Sequence, residues 1–148
     1  MAATTAPPAA TSESVANSGA VRVFAVLLAA VSSGAAAEWT PVAPDNGIYS
    51  AYADRATIHR DGSVASMRGM YDFPHGDFTP GGVPFYSTVV DREYECGQHK
   101  VRLVGFADHF EHAGVGRVVS ASSDAKRWED VLDDSLDEKY WKIACQAI

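Results

Sequence analysis

Apolar and polar residues alternate in short runs along most of the chain, and turn-forming residues separate these runs. Alternation with a period of two gives each run one buried side, which is typical of half-buried β-strands. Asp45-Asn46-Gly47 and Asp61-Gly62 provide turns between successive runs. The pattern predicts strands at residues 39–42, 48–53, 63–73, 85–96, 100–110 and 114–121. Pro41 places the first of these at a sheet edge, where not every N–H needs a partner.

Three segments interrupt this alternation. Residues 54–58 predict a short loop, and residues 74–84 predict a mobile loop because glycine and proline recur there. In the run at 100–110, the apolar phase changes between Leu103 and Val104. This change indicates either a β-bulge near Gly105 or a strand that is covered on both faces.

One helix is predicted, at the C-terminal end. Ser135 and Glu138 form a capping box, in which the Ser hydroxyl accepts one free N–H at the helix start and the Glu carboxylate reaches back to accept another. An apolar stripe with helical spacing follows, comprising Leu136, Tyr140, Ile143, Ala144 and Ala147. Cys96 lies on the apolar side of its strand, and Cys145 lies on the apolar side of this helix. The predicted fold is therefore α+β: an antiparallel sheet of about six strands, with one C-terminal helix packed on it and tied by a Cys96–Cys145 disulfide.

The first 37 residues have the composition of a secretory signal segment. Arg22 precedes an apolar run at residues 23–31, and small residues with an A-x-A cleavage pattern follow. This run is too short to span a bilayer as a helix. Residues 1–20 contain no lysine or arginine, so we hypothesise that translation starts at Val21. The sequence predicts one exported domain, residues 38–148, without a stable membrane span after cleavage.

Charge and cysteine content narrow the classes of function. The net charge is −7, and the first 37 residues contribute only Glu13 and Arg22, so the exported part keeps this charge. Such an acidic domain would repel phosphate groups, which argues against nucleic-acid binding. Both cysteines lie in the exported part, where an even pair predicts a disulfide rather than free thiols.

No catalytic motif is recognisable, and we predict that the protein is not an enzyme. The sequence lacks a G-x-S-x-G elbow, and its cysteine pair has a structural use. Asp108, His109 and His112 are weak candidates for a zinc or copper site. A strand would point residues three apart to opposite faces, so this site requires a loop. Otherwise these side chains are solvated at a strand end, and no cofactor is implied.

Two groups of side chains are candidates for a protein-binding surface. Aromatic residues lie in and beside the loop at 74–84, and acidic residues crowd before the C-terminal helix. Each group also has an ordinary explanation, since aromatics often cover a core and acids favour a helix N-terminus. The candidates are Tyr71, Phe73, Phe78, Glu129, Asp130, Asp133 and Asp134. Arg92 lies on an otherwise apolar strand face, and we expect it to pair with an acidic residue.

A series of short motifs resembles one family. The motifs are Tyr52-x-Asp54-x-x-Thr57-Ile58, Glu93-Tyr94-Glu95-Cys96, Gly114-Val115-Gly116, Trp128-Glu129 and Trp141-Lys142-Ile143-Ala144-Cys145. In this order, over residues 39–145, the chain resembles the surface-adhesin protein E family of proteobacteria. The resemblance implies an antiparallel sheet with a C-terminal helix held across it by a disulfide. It also implies an adhesin that binds host extracellular-matrix and serum proteins.

The leading hypothesis is an exported, non-catalytic binding module, adhesin-like, that recognises a protein partner at the cell envelope or surface. Its contacts would come from a sheet edge, the loop at 74–84 and the acidic residues before the helix. The alternative is a periplasmic protein that binds a metal or small ligand through His109 and His112. Both hypotheses place the protein in the periplasm or at the surface of a Gram-negative bacterium, and both are compatible with a homodimer.

Overall fold

The structure, a computed structural model, describes residues 36–146. Within this range the elements are β1 (Trp39–Ala43), β2 (Ser50–Asp61), β3 (Val64–Phe78), β4 (Pro84–Glu95), β5 (Lys100–His109), a 3₁₀ turn (His112–Gly114), β6 (Val118–Ser122), β7 (Glu129–Asp130) and α1 (Leu136–Gln146). Apart from Ala36 and Ala37, the predicted signal segment lies outside the described residues, as does the hypothesised start at Val21. No helix in this range is long and apolar enough to cross a membrane.

All the strands belong to one antiparallel sheet. Its spatial order follows the chain from β1 to β6, so each of these strands pairs with its neighbours in sequence. β7 pairs with Lys100 and Val101 of β5, beyond the end of β6. The predicted antiparallel sheet is therefore confirmed, and the short β7 is an addition that no sequence pattern indicated.

The predicted loop at 54–58 is wrong. β2 runs without interruption from Ser50 to Asp61, and the residues between Asp54 and His59 form a bulge against β3. Asp54 is buried, and its carboxylate accepts the N–H of Ala56 at 3.1 Å. The side chain of Asp54 thus supplies a hydrogen bond that the bulged backbone cannot obtain from β3.

The predicted bulge near Gly105 is confirmed. Asp91 of β4 lies opposite Gly105 and Arg92 lies opposite Leu103, so Val104 is the extra residue in β5. One inserted residue moves the following side chains to the other face of the sheet. This shift explains the change in apolar phase along β5.

The predicted loop at 74–84 is largely strand. β3 continues to Phe78 and β4 begins at Pro84, so that only residues 79–83 form the turn. The predicted strand at 114–121 begins later, at Val118. Gly114 and Gly116 adopt φ angles of 70° and 81°, which take the backbone out of regular strand pairing before Val118.

α1 packs across one face of the sheet, which we call the helix face. Tyr140 and Ala144 are completely buried there, and the Tyr140 hydroxyl donates to the carbonyl of Tyr52 at 2.8 Å. The Cys96–Cys145 disulfide joins the end of β4 to the last turn of α1, with the two Cα atoms 5.5 Å apart. The predicted attachment of the helix to the sheet is therefore confirmed.

The opposite face, which we call the open face, is partly covered by residues 110–117. The indole N–H of Trp39 donates to the carbonyl of Ala113 at 3.1 Å, and the N–H of Ala113 donates to the Asp72 carboxylate at 2.8 Å. Beside this segment lies a mainly apolar cleft of about 400 Å³. We call it the open-face cleft; its lining includes Trp39, Val89, Val104, Phe106 and Val118.

Candidate protein-binding surface

The hairpin between β3 and β4 projects beyond the rest of the sheet. β2 begins at Ser50, opposite Asp72, and β5 ends at His109, opposite Ser87. Residues 73–86 therefore have no neighbouring strand on either side. On the β4 side, residues 84–86 span roughly 10 Å at about 3.3 Å per residue, and the turn at residues 79–83 lies beyond them. We call residues 73–86 the arm.

Hydrogen bonds fix the tip of the arm. The N–H of Thr79 donates to the carbonyl of Val83 at 2.9 Å, and the N–H of Gly82 donates to the carbonyl of Thr79 at 2.8 Å. The Thr79 hydroxyl accepts the N–H of Val83 at 3.1 Å, and the Asp77 carboxylate accepts the N–H of Phe78 at 2.8 Å. Phe78 is 67% exposed on this tip. The arm therefore presents a large apolar side chain on an ordered turn.

An irregular bulge of four residues in β3 joins the arm to the sheet. Residues 73–76 of β3 lie opposite Tyr86 alone in β4. The chain bends at Gly76, which has a φ angle of 70°, and a Cβ atom there would lie 2.9 Å from Cε1 of Tyr86. Pro74 is tolerated because a bulged residue does not need to donate to the ladder. Pro74 and Gly76 therefore bend β3 at this point and do not end it.

A row of aromatic side chains anchors the arm. Neighbouring rings meet edge to face, with centroid separations of 6.5 Å for Tyr140–Tyr71, 5.0 Å for Tyr71–Tyr49, 6.2 Å for Tyr49–Phe73 and 5.6 Å for Phe73–Phe85. Such pairs each stabilise a fold by about 0.5–1.5 kcal/mol beyond the burial of their area. Of the three aromatic candidates, Tyr71 and Phe73 belong to this packed row, whereas Phe78 is mainly exposed.

Arg92 contacts the tyrosines of this row. Its guanidinium donates to the Tyr71 hydroxyl at 2.9 Å and lies 5.6 Å from the ring centroid of Tyr140. Burial by itself lowers the pKa of Arg92, but Tyr71 and Tyr94 raise it, and the net direction is upward. Among the described residues Arg92 forms no ion pair with a carboxylate, so its expected acidic partner is wrong. The Tyr71 hydroxyl and the rings of Tyr71 and Tyr140 contact the guanidinium instead of a carboxylate.

A shallow hollow of about 440 Å³ lies at the base of the arm, and we call it the aromatic hollow. Tyr86, Phe110, Glu111, His112 and Val115 line it. The Tyr86 ring centroid lies 6.5 Å from that of Phe110 and 5.0 Å from that of His112. Val115 is 53% exposed. Apolar surface is thus accessible at the base of the arm as well as at its tip.

The structure separates the three candidates for a metal site. Asp108 is buried and accepts a hydrogen bond at 2.7 Å from a threonine of β4. His109 lines the open-face cleft, whereas His112 lines the aromatic hollow, with its Nδ1 3.0 Å from the Asp72 carboxylate. Among residues 36–146, no group of three or more His, Cys, Asp or Glu side chains is placed to hold a metal ion. The alternative that used His109 and His112 together therefore gains no support.

The acidic candidates lie at the other end of the sheet. Asp130 pairs with Lys100 at 2.8 Å, and this hydrogen bond lowers the pKa of Asp130. Glu129, Asp133 and Asp134 are exposed nearby in the chain. β4, with 12 residues, separates the two ends of the sheet by roughly 35 Å. The structure therefore does not bring the aromatic and acidic candidates into one surface.

Part of the acidic cluster has a structural use at the start of α1. The N–H of Glu138 donates to the Ser135 hydroxyl at 3.1 Å, and the Glu138 carboxylate accepts the N–H of Asp134 at 2.9 Å. The hydrogen bond from Asp134 and then that from Lys142 lower the pKa of Glu138. The predicted capping box is therefore confirmed, with the N–H of Asp134 as the second donor.

No sequence pattern indicated the aromatic hollow. Its residues come from β4 and from the segment 110–117, which turns back at the end of β5. No local periodicity indicates that Tyr86 and Phe110 meet. The available signal was that Phe110 and Val115 flank a glycine-containing segment rather than continue an alternating strand.

The fold and these surfaces define a class of protein: a small, disulfide-linked sheet domain whose projecting hairpin and aromatic hollow are open to contact. Residues 39–146 match the family described as Surface-adhesin protein E, and the chain belongs to that family. No curated protein matches the chain.

Solved structures of Haemophilus influenzae protein E are similar to this chain. Crystal form II of that protein is 16% identical, with a TM-score of 0.57 over 72% of this chain and 92% of the other. A second structure is 17% identical, with a TM-score of 0.56 over 72% and 89%. Protein E from non-typeable Haemophilus influenzae is 15% identical, with a TM-score of 0.54 over 73% and 72%. At these identities the likeness establishes the fold alone.

Proposed function

We propose that the protein is an exported, non-catalytic adhesin-type module that recognises a protein partner at the cell envelope or surface through the arm and the aromatic hollow. Membership of the surface-adhesin family supports the adhesive role. The disulfide supports an oxidising location outside the cytosol. We place partner binding at the arm because Phe78, a large apolar side chain, is 67% exposed on its ordered, projecting tip.

This geometry suits recognition of a protein for two physical reasons. Aromatic side chains dominate the energetics of protein interfaces because they bury much apolar area for few rotatable bonds. The hydrogen-bonded turn at residues 79–83 already holds the tip in place, so binding costs less conformational entropy there. The aromatic hollow at the base of the arm provides a recess for an apolar side chain of the partner.

The test compares Phe78→Ser with Leu132→Ser, a matched control at the other end of the sheet. Leu132 is 71% exposed, so the control removes a similarly exposed apolar side chain. Each protein is passed over biosensor surfaces coated with basement-membrane extract or with whole serum. We expect the unaltered protein to bind at least one surface, Phe78→Ser to lose at least about tenfold in affinity, and Leu132→Ser to stay within about twofold.

The folded state of both variants is checked by thermal melting, which should not change because each side chain is mainly exposed. Equal losses for the two variants would contradict the assignment to the arm. Failure of the unaltered protein to bind either surface would contradict an adhesive role toward host matrix and serum proteins.

A further inference from the structure

The two edges of the sheet differ in their protection against further strand pairing. At the β1 edge, Pro41 removes an N–H, and a register shift between Pro41 and Ala43 distorts the strand. Proline and bulges are two devices by which natural sheets block an edge. At the other edge, residues 118–123 contain neither proline nor a charged side chain. A bulge interrupts β6 only at its start, between the partners of Asp108 and His109.

The outer side of β6 offers hydrogen-bonding groups to an added strand. Within residues 36–146 the order of the sheet ends at β6, and no described strand pairs with its outer side. Alternate residues of an antiparallel edge strand direct both N–H and C=O away from the sheet. Another extended chain satisfies such a row in register, whereas a helix or an irregular loop does not. Val118 is 52% exposed and Ala121 is also exposed, so these two positions of the edge strand are accessible.

The open-face cleft adjoins the same edge. Val118 and Ser122 of β6 line the cleft together with Phe106 of β5. A strand added beside β6 would direct every second side chain toward the open face, at the mouth of this cleft. Because the lining is mainly apolar, apolar side chains at alternate positions of the added strand would fit best.

We infer that β6 is a second binding site, separate from the arm, which takes an extended segment of a partner protein as an additional strand with apolar side chains at alternate positions. Main-chain hydrogen bonds provide the affinity and the cleft provides the preference for sequence. The charge of the chain does not oppose this mode, because residues 118–123 are uncharged.

The test uses a soluble probe peptide, acetyl-Lys-Val-Thr-Val-Thr-Val-Lys-amide, and NMR of the isotopically labelled protein. The control peptide has the same side chains but is N-methylated at its five internal residues, so none of these five residues can donate a main-chain hydrogen bond. We expect the first peptide to shift the amide signals of Val118–Ser122 and to slow their hydrogen exchange at least about tenfold, since pairing protects edge amides. The control peptide should do neither, and Trp39–Ala43 at the protected edge should stay unchanged.

Each other outcome overturns the assignment. Signal changes that spare β6, or equal effects of the two peptides, would exclude strand addition at this edge. Protection of β6 amides without peptide, together with a doubled mass in solution, would show that a second copy of this chain is the occupant. These results are independent of the Phe78→Ser comparison, because the probe peptide is read out at β6 and the serum and matrix surfaces are not used.

Discussion

Removing the Cys96–Cys145 link should lower the stability of the domain without releasing α1. The perturbation is the double variant Cys96→Ala/Cys145→Ala, compared with the unaltered protein under a reducing agent. Both treatments remove the covalent link, but only the first changes the side chains. Agreement between them isolates the contribution of the link from that of local packing.

The magnitude follows from the loop that the disulfide closes. The two cysteines are 49 residues apart, and closing a loop of that length stabilises the native state by about 4 kcal/mol on the chain-entropy account. For a domain of about 110 residues, this corresponds to a fall in Tm of about 18 °C. The helix should nevertheless stay docked, because Tyr140 is completely buried and the indole N–H of Trp141 donates to the carbonyl of Glu95 at 3.2 Å. We expect only its last turn to fray.

Urea unfolding at pH 7 measures the free energy, and hydrogen exchange measured by mass spectrometry reports on α1 separately. The expected result is a loss of about 4 kcal/mol with continued protection of the first two turns of the helix. A loss below about 1 kcal/mol would refute the loop-closure argument, given the sequence separation of 49 residues. Exchange of the whole helix at the rate of an unstructured peptide would refute the argument that packing holds it.

Two further predictions concern the contact between the helix and the sheet. Gly69→Ala should destabilise the domain by about 1–3 kcal/mol in urea unfolding, because the added Cβ would lie 3.1 Å from Cε1 of Tyr140. The control Gly81→Ala should have little effect, because the nearest atom to its added Cβ is 3.8 Å away. Equal effects of the two variants would contradict the packing argument. Burial raises the pKa of Tyr71, Tyr94 and Tyr140 above 10 in the folded protein, so these groups have little effect on stability below pH 10. Above pH 10 the tyrosines of the unfolded chain ionise first, and the free energy of unfolding should fall by up to about 4 kcal/mol per pH unit. Unfolding curves that do not change between pH 9 and pH 11 would contradict this prediction.

The core of the fold was predictable because local periodicity and global packing agree in it. The apolar stripe of α1, its capping box and the alternating faces of β4 each specify the same arrangement. The two cysteines lie on the faces that meet, so their pairing followed from which sides are apolar. The face on which each cysteine lies depends on residues close to it in the sequence, although the two cysteines are 49 residues apart.

The errors arose where a bulge replaces a loop. Asp54 and the residues after it have turn-type composition, yet the carboxylate of Asp54 satisfies the bulged backbone and β2 continues. Pro74 and Gly76 are ordinary turn residues, yet the positive φ angle of Gly76 and the ring of Tyr86 accommodate them within β3. Composition indicates that a backbone departs from regular pairing, but it does not distinguish an inserted residue from the end of a strand.

The candidate surface was only partly predictable because it depends on contacts between distant segments. Phe78 was singled out from its neighbourhood, and it is exposed on the arm. Tyr71 was chosen with it, yet the hydroxyl of Tyr71 binds Arg92 in the packed row. Exposure of an aromatic side chain depends on which other rings reach it, and those rings come from β3, β4, α1 and the loop before β2.

The position of the arm has an evolutionary consequence. Residues 79–83 hydrogen-bond mainly with one another, so their replacement leaves the pairing of the six consecutive strands and the covalent staple intact. Selection can therefore vary the tip of the arm while the scaffold persists, much as hypervariable loops diversify on a constant framework. For the same reason, this hairpin is a natural place to graft foreign sequences onto the domain.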